Sequence, residues 1–214
     1  MKYLAILLVL CLGCAPDDGY VEASKPPTWD AQAVAMYKKI APCVALIQRY
    51  DEQLSFWGTT GTAFGASYKG KPVLLTARHI TKAAGKFRVV YKDGVTVEVS
   101  SFKEDEVVDI AVLTVSKYPQ LLPIASTGPE VGETVYTVGN PMETTRMFTM
   151  GIVEWYTETG DIVTGAALSY GSSGGPLVTE KGEVVGVAAR IKPGWAQFNI
   201  FAPTSKIAKL LEGK

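Results

Sequence analysis

His79 is the only imidazole in the chain, and it lies in the run Leu74-Leu75-Thr76-Ala77-Arg78-His79-Ile80. An aspartate follows in Val107-Val108-Asp109-Ile110-Ala111-Val112-Leu113, and a serine in Gly171-Ser172-Ser173-Gly174-Gly175-Pro176-Leu177. A serine hydroxyl is a poor nucleophile until a base takes its proton and donors stabilise the oxyanion that forms. These three residue types supply what acyl transfer by a hydroxyl requires. Ser173 would attack, His79 would carry the proton, and Asp109 would fix the imidazole tautomer. With no second histidine, any such relay runs through His79.

Gly171 and Gly174-Gly175 flank the serine, and glycine lets backbone N–H groups turn inward where a side chain would block approach. The N–H groups of Gly171 and Ser173 are therefore candidate oxyanion donors. A glycine-rich surface turn, a core histidine and a solvated aspartate at a strand start would carry the same residue types. Local context separates the readings. Pro176-Leu177 opens a strand, and His79 follows one, Val73 to Thr76, and precedes an expected helical turn, Thr81 to Ala84. Glu104, Asp105 and Glu106 are also acidic, yet only Asp109 abuts the apolar run Ile110 to Leu113. A carboxylate held against a core needs a partner.

The elements that must position these groups are mostly strands. Val95-Thr96-Val97-Glu98-Val99-Ser100 places valine at every second position, as a half-buried strand demands. An Asp-Gly turn, Lys92-Asp93-Gly94, joins it to Phe87 through Tyr91. Further strands are expected over 61–68, 72–76, 109–115, 134–139, 151–156, 176–179 and 184–189, with strand-like patterning from Cys43 onward. Short strands punctuated by turns point to an all-β fold of antiparallel barrels or a sandwich. Asp30 reads as the N-cap of a helix over 31–40, with Val34, Met36 and Ile40 among its apolar positions. A C-terminal helix over 204–212 is expected to place Ile207, Leu210 and Leu211 on one face, capped by Thr204 and closed by Gly213.

Lysine plus arginine and aspartate plus glutamate both number 21, so the formal charge is zero. That balance argues against a non-specific polyanion binder, whose usual footprint is clustered excess positive charge, and no nucleic-acid partner is expected. The 21 glycines and 12 prolines suit a turn-rich β protein. One histidine and no cysteine pair at ligand spacing argue against a zinc site, and no cofactor is expected.

Residues 1–13 read as a signal peptide, with a positive start and an apolar stretch far shorter than the ~20 residues of a membrane span. It ends in Cys11-Leu12-Gly13-Cys14, which resembles a bacterial lipobox, although Cys11 departs from the usual leucine. The resemblance implies lipidation of Cys14 and membrane attachment facing the periplasm or cell exterior; ordinary signal cleavage nearby is the alternative. Residues 14–28 read as a polar tether, and 29–214 are expected to form the folded domain. Cys43 is left without a partner and reads as a buried thiol.

Gly61-Thr62-Ala63-Phe64, Leu75-Thr76-Ala77-Arg78-His79, Asp109 to Leu113, Val138-Gly139-Asn140-Pro141 and Gly171 to Leu177 together resemble the successive motifs of chymotrypsin-like (trypsin-like) serine proteases. The similarity is closest to the protease domain of the HtrA (Deg) family, and Phe198 to Ser205 resembles that family's last strand and helix entry. It implies two antiparallel six-stranded barrels, about 43–126 and 130–203, with the triad His79, Asp109 and Ser173 in the cleft between them. It also implies Ala167 at the floor of the S1 pocket, Tyr170 at its rim, and Ala188, Ala189 and Arg190 on the strand that pairs with substrate. An alanine floor favours small or medium aliphatic side chains, while Arg190 could instead recruit an acidic one. Arg78 stands where the family carries a small residue and is expected to tilt toward solvent or a substrate carboxylate. Ser172 replaces the aspartate of zymogens that activate through a freed N-terminus. With only 41 residues after Ser173, no PDZ domain is expected. The expected function is an exported serine endopeptidase acting on protein or peptide substrates. The alternative is a catalytically silent lipoprotein that binds peptides with the same fold.

Overall fold

The computed structural model describes residues 28–104, 107–141, 144–191 and 198–212. The expected signal peptide, Cys14, nearly all of the tether and Gly213 lie outside them. Helix α1, Thr28–Ile40, is followed by six strands: β1 Val44–Asp51, β2 Phe56–Tyr68, β3 Lys71–Thr76, β4 Phe87–Val90, β5 Thr96–Glu104 and β6 Ala111–Val115. A four-residue helix α2, Arg78–Thr81, interrupts them after β3. These strands pair in the order β1-β4-β5-β6-β3-β2, and β2 pairs back to β1, which closes the ring. The short β7, Leu122–Pro123, adds to β2 in parallel.

A second six-stranded barrel follows: β8 Thr134–Gly139, β9 Met147–Tyr156, β10 Ile162–Thr164, β11 Pro176–Thr179, β12 Val184–Ile191 and β13 Asn199–Pro203. It closes in the order β10-β13-β12-β11-β8-β9. A 3-10 turn, Thr204–Lys206, leads into α3, Ile207–Glu212. The all-β architecture of two six-stranded antiparallel barrels with a short helix at each end is the one expected. Closure matters physically, because a closed barrel leaves no row of unpaired backbone groups at an edge.

Each barrel has its own apolar interior, and a third core lies between them. Ile47, Leu74, Val89 and Leu113 fill the first, and Val153, Ile162, Leu177 and Phe201 the second. The shared core joins Phe64 and Leu75 of barrel one to Tyr136, Val138 and Val187 of barrel two. Met36 and Ile40 of α1 and Ile207 of α3 also enter it.

Several local expectations change. The helix α1 begins at Thr28, so Asp30 lies in its first turn rather than at its cap. Met36 and Ile40, one helical turn apart, face the core, whereas Val34 points outward at 53% exposure. Strand β2 starts at Phe56 because it pairs with β1 down to Asp51↔Phe56. Strand β9 starts at Met147, opposite Gly139. The hydroxyl of Thr204 donates to the Val184 carbonyl (3.3 Å) instead of capping α3. Strands β7 and β10 carry too few residues for alternation to reveal them.

Cys43 is 2% exposed and its Sγ donates to the Lys39 carbonyl at 3.4 Å. Burial pushes its thiol up to about 11, with the Lys39 charge pulling weakly the other way. The neutral thiol is thus the folded form; its stabilising contribution is complete below the unfolded thiol value and is lost as pH rises through about 11. Iodoacetamide at mildly alkaline pH should leave Cys43 unmodified in the folded protein and alkylate it in urea, as read by peptide mass mapping. Equal rates in both states would contradict the burial.

Candidate active site

Asp109 holds His79 twice. Its Oδ1 accepts the His79 backbone N–H at 2.9 Å, and its Oδ2 lies 2.8 Å from the ring Nδ1. The first contact follows from α2, whose opening N–H groups lack partners within so short a helix. An ionised carboxylate only accepts, so the second contact puts the ring proton on Nδ1 and leaves Nε2 as an acceptor. The expected strand over 109–115 begins only at Ala111, and Ile110 N–H donates back to the Val108 carbonyl at 2.8 Å. That tight bend carries Asp109 out of the sheet and lets its carboxylate reach α2. The expected helical turn at 81–84 is replaced by α2 itself, which contains His79.

Arg78 points away from the site. Its Nε lies 3.3 Å from Glu104 Oε2, so charge pairing turns it toward the end of β5 rather than toward solvent or substrate.

Ser173 lies on the loop before β11, in a cleft of about 630 Å³ between the barrels. Thr60, His79, Ile80 and Asp109 line it from barrel one. Leu168 through Gly171, Ser173, Ala189 and Arg190 line it from barrel two. The three expected triad residues therefore share one cleft. The loop is fixed by its backbone: Gly174 N–H donates to the Ala188 carbonyl at 2.7 Å, and Ala188 N–H to the Gly175 carbonyl at 2.8 Å. Gly171 has φ +96° and Gly174 φ +87°, conformations that side chains resist. A Cβ on Gly174 would come within 2.1 Å of the Thr62 carbonyl oxygen, so barrel one touches this loop directly.

Ser172, the zymogen-aspartate position, is 5% exposed and satisfied inside the loop. Its N–H donates to the Ser169 carbonyl at 2.9 Å, and its Oγ accepts the Ser169 N–H at 3.3 Å. Ala189 and Arg190 both line the cleft although they are consecutive. A bulge between Ala188 and Arg190 explains this, because an inserted residue breaks strand alternation. Arg190 Nη2 is paired with Asp161 Oδ2 at 3.0 Å, and Lys206 Nζ lies 3.2 Å from the same carboxylate's Oδ1. Ala188 is fully buried in the barrel-two core and does not line the cleft. Ala167 is exposed, its carbonyl accepts from Thr149 Oγ1 at 2.9 Å, and Leu168 and Ser169 take the lining positions beside it. Tyr170 is 86% exposed at the mouth.

Buried polar residues missed in the sequence hold this frame. Asn199 Oδ1 accepts the Leu168 N–H at 3.0 Å, which sets the wall of the cleft. Thr62 and Asn140, quoted above only as parts of motifs, link the two barrels.

The sequence profile of the trypsin-like peptidase domain matches residues 59–187, which span His79, Asp109 and Ser173. The chain belongs to the trypsin-like peptidase family. Among similar members of curated standing, the serine protease HTRA1 of Xenopus tropicalis is 32% identical over 193 residues, covering 81% of this chain and 41% of the relative. The Do-like serine protease HtrA of Bacillus subtilis is 31% identical over 149 residues, covering 60% of this chain and 33% of the relative. The chain thus spans well under half the length of these relatives. A serine endoprotease from Yersinia pestis superposes with TM-score 0.71 at 26% identity, over 86% of this chain and 65% of that one. The HtrA-type protease AlgW, solved with a decapeptide, superposes with TM-score 0.73 at 22% identity, over 85% and 66%, and so attests the trypsin-like fold alone.

Burial pushes the Asp109 carboxyl upward, but the hydrogen bonds and charge of His79, with Arg190 behind them, outweigh it and hold it below its ordinary value. A depressed carboxyl stabilises the fold above its unfolded value, about 3.9, and that contribution fades as pH falls through the folded one. The melting-temperature deficit of Asp109→Asn relative to wild type should therefore be largest near neutrality and shrink below about pH 4. A deficit that grows in acid would contradict the depressed carboxyl.

Proposed function

We propose that this protein is a serine endopeptidase that cleaves protein or peptide substrates through Ser173, His79 and Asp109. The observation that carries the reading is the Asp109–His79 pair, with Nε2 left as acceptor, opening into the same cleft as Ser173. In the proposed reaction Ser173 Oγ attacks the scissile carbonyl while His79 Nε2 takes its proton. The carbonyl carbon becomes tetrahedral and its oxygen takes the negative charge, held by the N–H groups of Gly171 and Ser173. His79 then returns the proton to the departing amine, which leaves an ester on Ser173. Water, deprotonated by His79, hydrolyses that ester and restores the hydroxyl. Asp109 stabilises the imidazolium at both proton transfers without itself becoming protonated.

The cleft walls favour small or medium aliphatic side chains beside the scissile bond. Leu168 and Ala189 are apolar. The Arg190 charge is engaged by Asp161, which weakens any preference for an acidic residue. Because Ser173, His79 and Asp109 would together supply nucleophile, base and orienting charge, hydrolysis should be insensitive to chelators.

We also propose that the protein is exported and anchored through a lipidated Cys14, on the strength of the Cys11-Leu12-Gly13-Cys14 run. Among the described residues no helix is long and apolar enough to cross a membrane.

Wild-type protein should label covalently with a fluorophosphonate and hydrolyse peptides from an unbiased library, and Ser173→Ala should do neither. Asp109→Asn should lower turnover by about 10⁴-fold, since it leaves the imidazole in the wrong tautomer. Labelling that persists in Ser173→Ala would remove the nucleophile assignment. In cells fed an alkynyl fatty acid, the full-length protein should carry the tag and Cys14→Ala should not. A tag retained by that variant would rule out the anchor.

A further inference from the structure

The proposed nucleophile and oxyanion donors belong to barrel two, while His79 and Asp109 belong to barrel one. Their alignment therefore depends on whatever ties the Ser173 loop across the interface. Thr62 of β2 is fully buried and makes that tie with two of its groups, while a third anchors it within barrel one. Its backbone N–H donates to the Ser173 carbonyl at 2.8 Å. Its hydroxyl donates to the Gly171 carbonyl at 2.8 Å. Its own carbonyl accepts from Thr76 Oγ1 at 2.7 Å.

The hydroxyl has no freedom to do otherwise. A threonine oxygen offers one proton and two lone pairs. Asn140, at the end of β8, donates to it from both its backbone N–H (2.9 Å) and its Nδ2 (3.2 Å). With two donors aimed at the oxygen, the single proton is directed to the Gly171 carbonyl. Asn140 is itself locked, since Nδ2 also reaches the Ala45 carbonyl (3.1 Å) and Oδ1 accepts the Arg146 N–H (3.1 Å).

We propose that Thr62, oriented by Asn140, is the positioning residue of the oxyanion site: it grips the carbonyls of Gly171 and Ser173 and so fixes the backbone that presents their N–H groups. The inference rests on the peptidase reading and adds to it a role for a residue that touches neither substrate nor the reacting atoms. Grip at two carbonyls two residues apart fixes the rotation of the loop about the barrel interface. Loss of the hydroxyl leaves the Gly171 carbonyl without its donor and lets the loop relax, and small misplacement of reacting groups is costly to rate.

The test compares Thr62→Val, Thr62→Ala and Thr62→Ser with wild type, using one peptide substrate and a matching peptide boronate, whose tetrahedral adduct needs the oxyanion site. Thr62→Val should keep its near-UV dichroism and lose about 100-fold in kcat with KM changed less than about threefold. Its boronate affinity should fall in parallel with kcat/KM, and the midpoint of its pH–rate profile should stay at the wild-type value. Thr62→Ser should recover most of the rate. A folded Thr62→Val with wild-type kcat overturns the proposal, as does a Thr62→Ser as slow as Thr62→Val. Unfolding of both hydroxyl-free variants overturns it too, because the hydroxyl would then support the whole molecule rather than the loop. An inert wild-type protein would instead defeat the peptidase reading beneath it.

Discussion

Two barrels that each close on themselves have no free strand edge with which to pair, so their joint depends on side-chain packing and a few hydrogen bonds at loops. Most of that joint is apolar, through Phe64, Leu75, Tyr136, Val138 and Val187. Apolar packing is poor at fixing rotation, whereas hydrogen bonds between buried groups are directional and expensive to leave unmade. The buried set of Thr62, Thr76 and Asn140 supplies that direction where the Ser173 loop meets β2. The close approach at Gly174, where no side chain fits, is the steric counterpart of the same contact.

Within barrel one a second directional device acts on a smaller scale. One carboxylate binds both the main chain and the ring of His79, so the helix that carries the imidazole and the imidazole's own rotation are set together. The tight turn at Val108–Ile110 makes this possible by ending the chain's extended path before β6 begins.

Much of this could be read in the chain. Valine alternation and the Asp-Gly turn placed β4 and β5, whereas β8 and β11 fall on the expected residues as short, almost continuously buried runs bounded by glycine-containing turns. Strands β7 and β10 escaped because two or three residues cannot display a period. The residues lining the cleft with Ser173 were legible from their neighbours: His79 at a strand end, Asp109 against an apolar run. Thr62, Asn140 and Asn199 were not, since their partners lie far away along the chain and a lone polar side chain announces no partner. The ion pair of Arg190 with Asp161, twenty-nine positions earlier, was hidden for the same reason.

The two terminal helices cross over between barrels. Helix α1 precedes barrel one yet packs on barrel two, with Tyr37 edge-on to Phe148 and Lys39 Nζ donating to the Lys181 carbonyl at 3.0 Å. Helix α3 follows barrel two yet reaches barrel one, where Glu212 accepts from the Tyr68 hydroxyl at 2.7 Å. A chain emerging from the ribosome makes α1 first but must complete β8 and β9 before that helix has anything to lie against. Barrel one can close during synthesis, while the N-terminal helix waits for the second half and docks late. Such long-range contacts slow folding and couple the halves, so the mature molecule should open and refold as one cooperative unit rather than lobe by lobe.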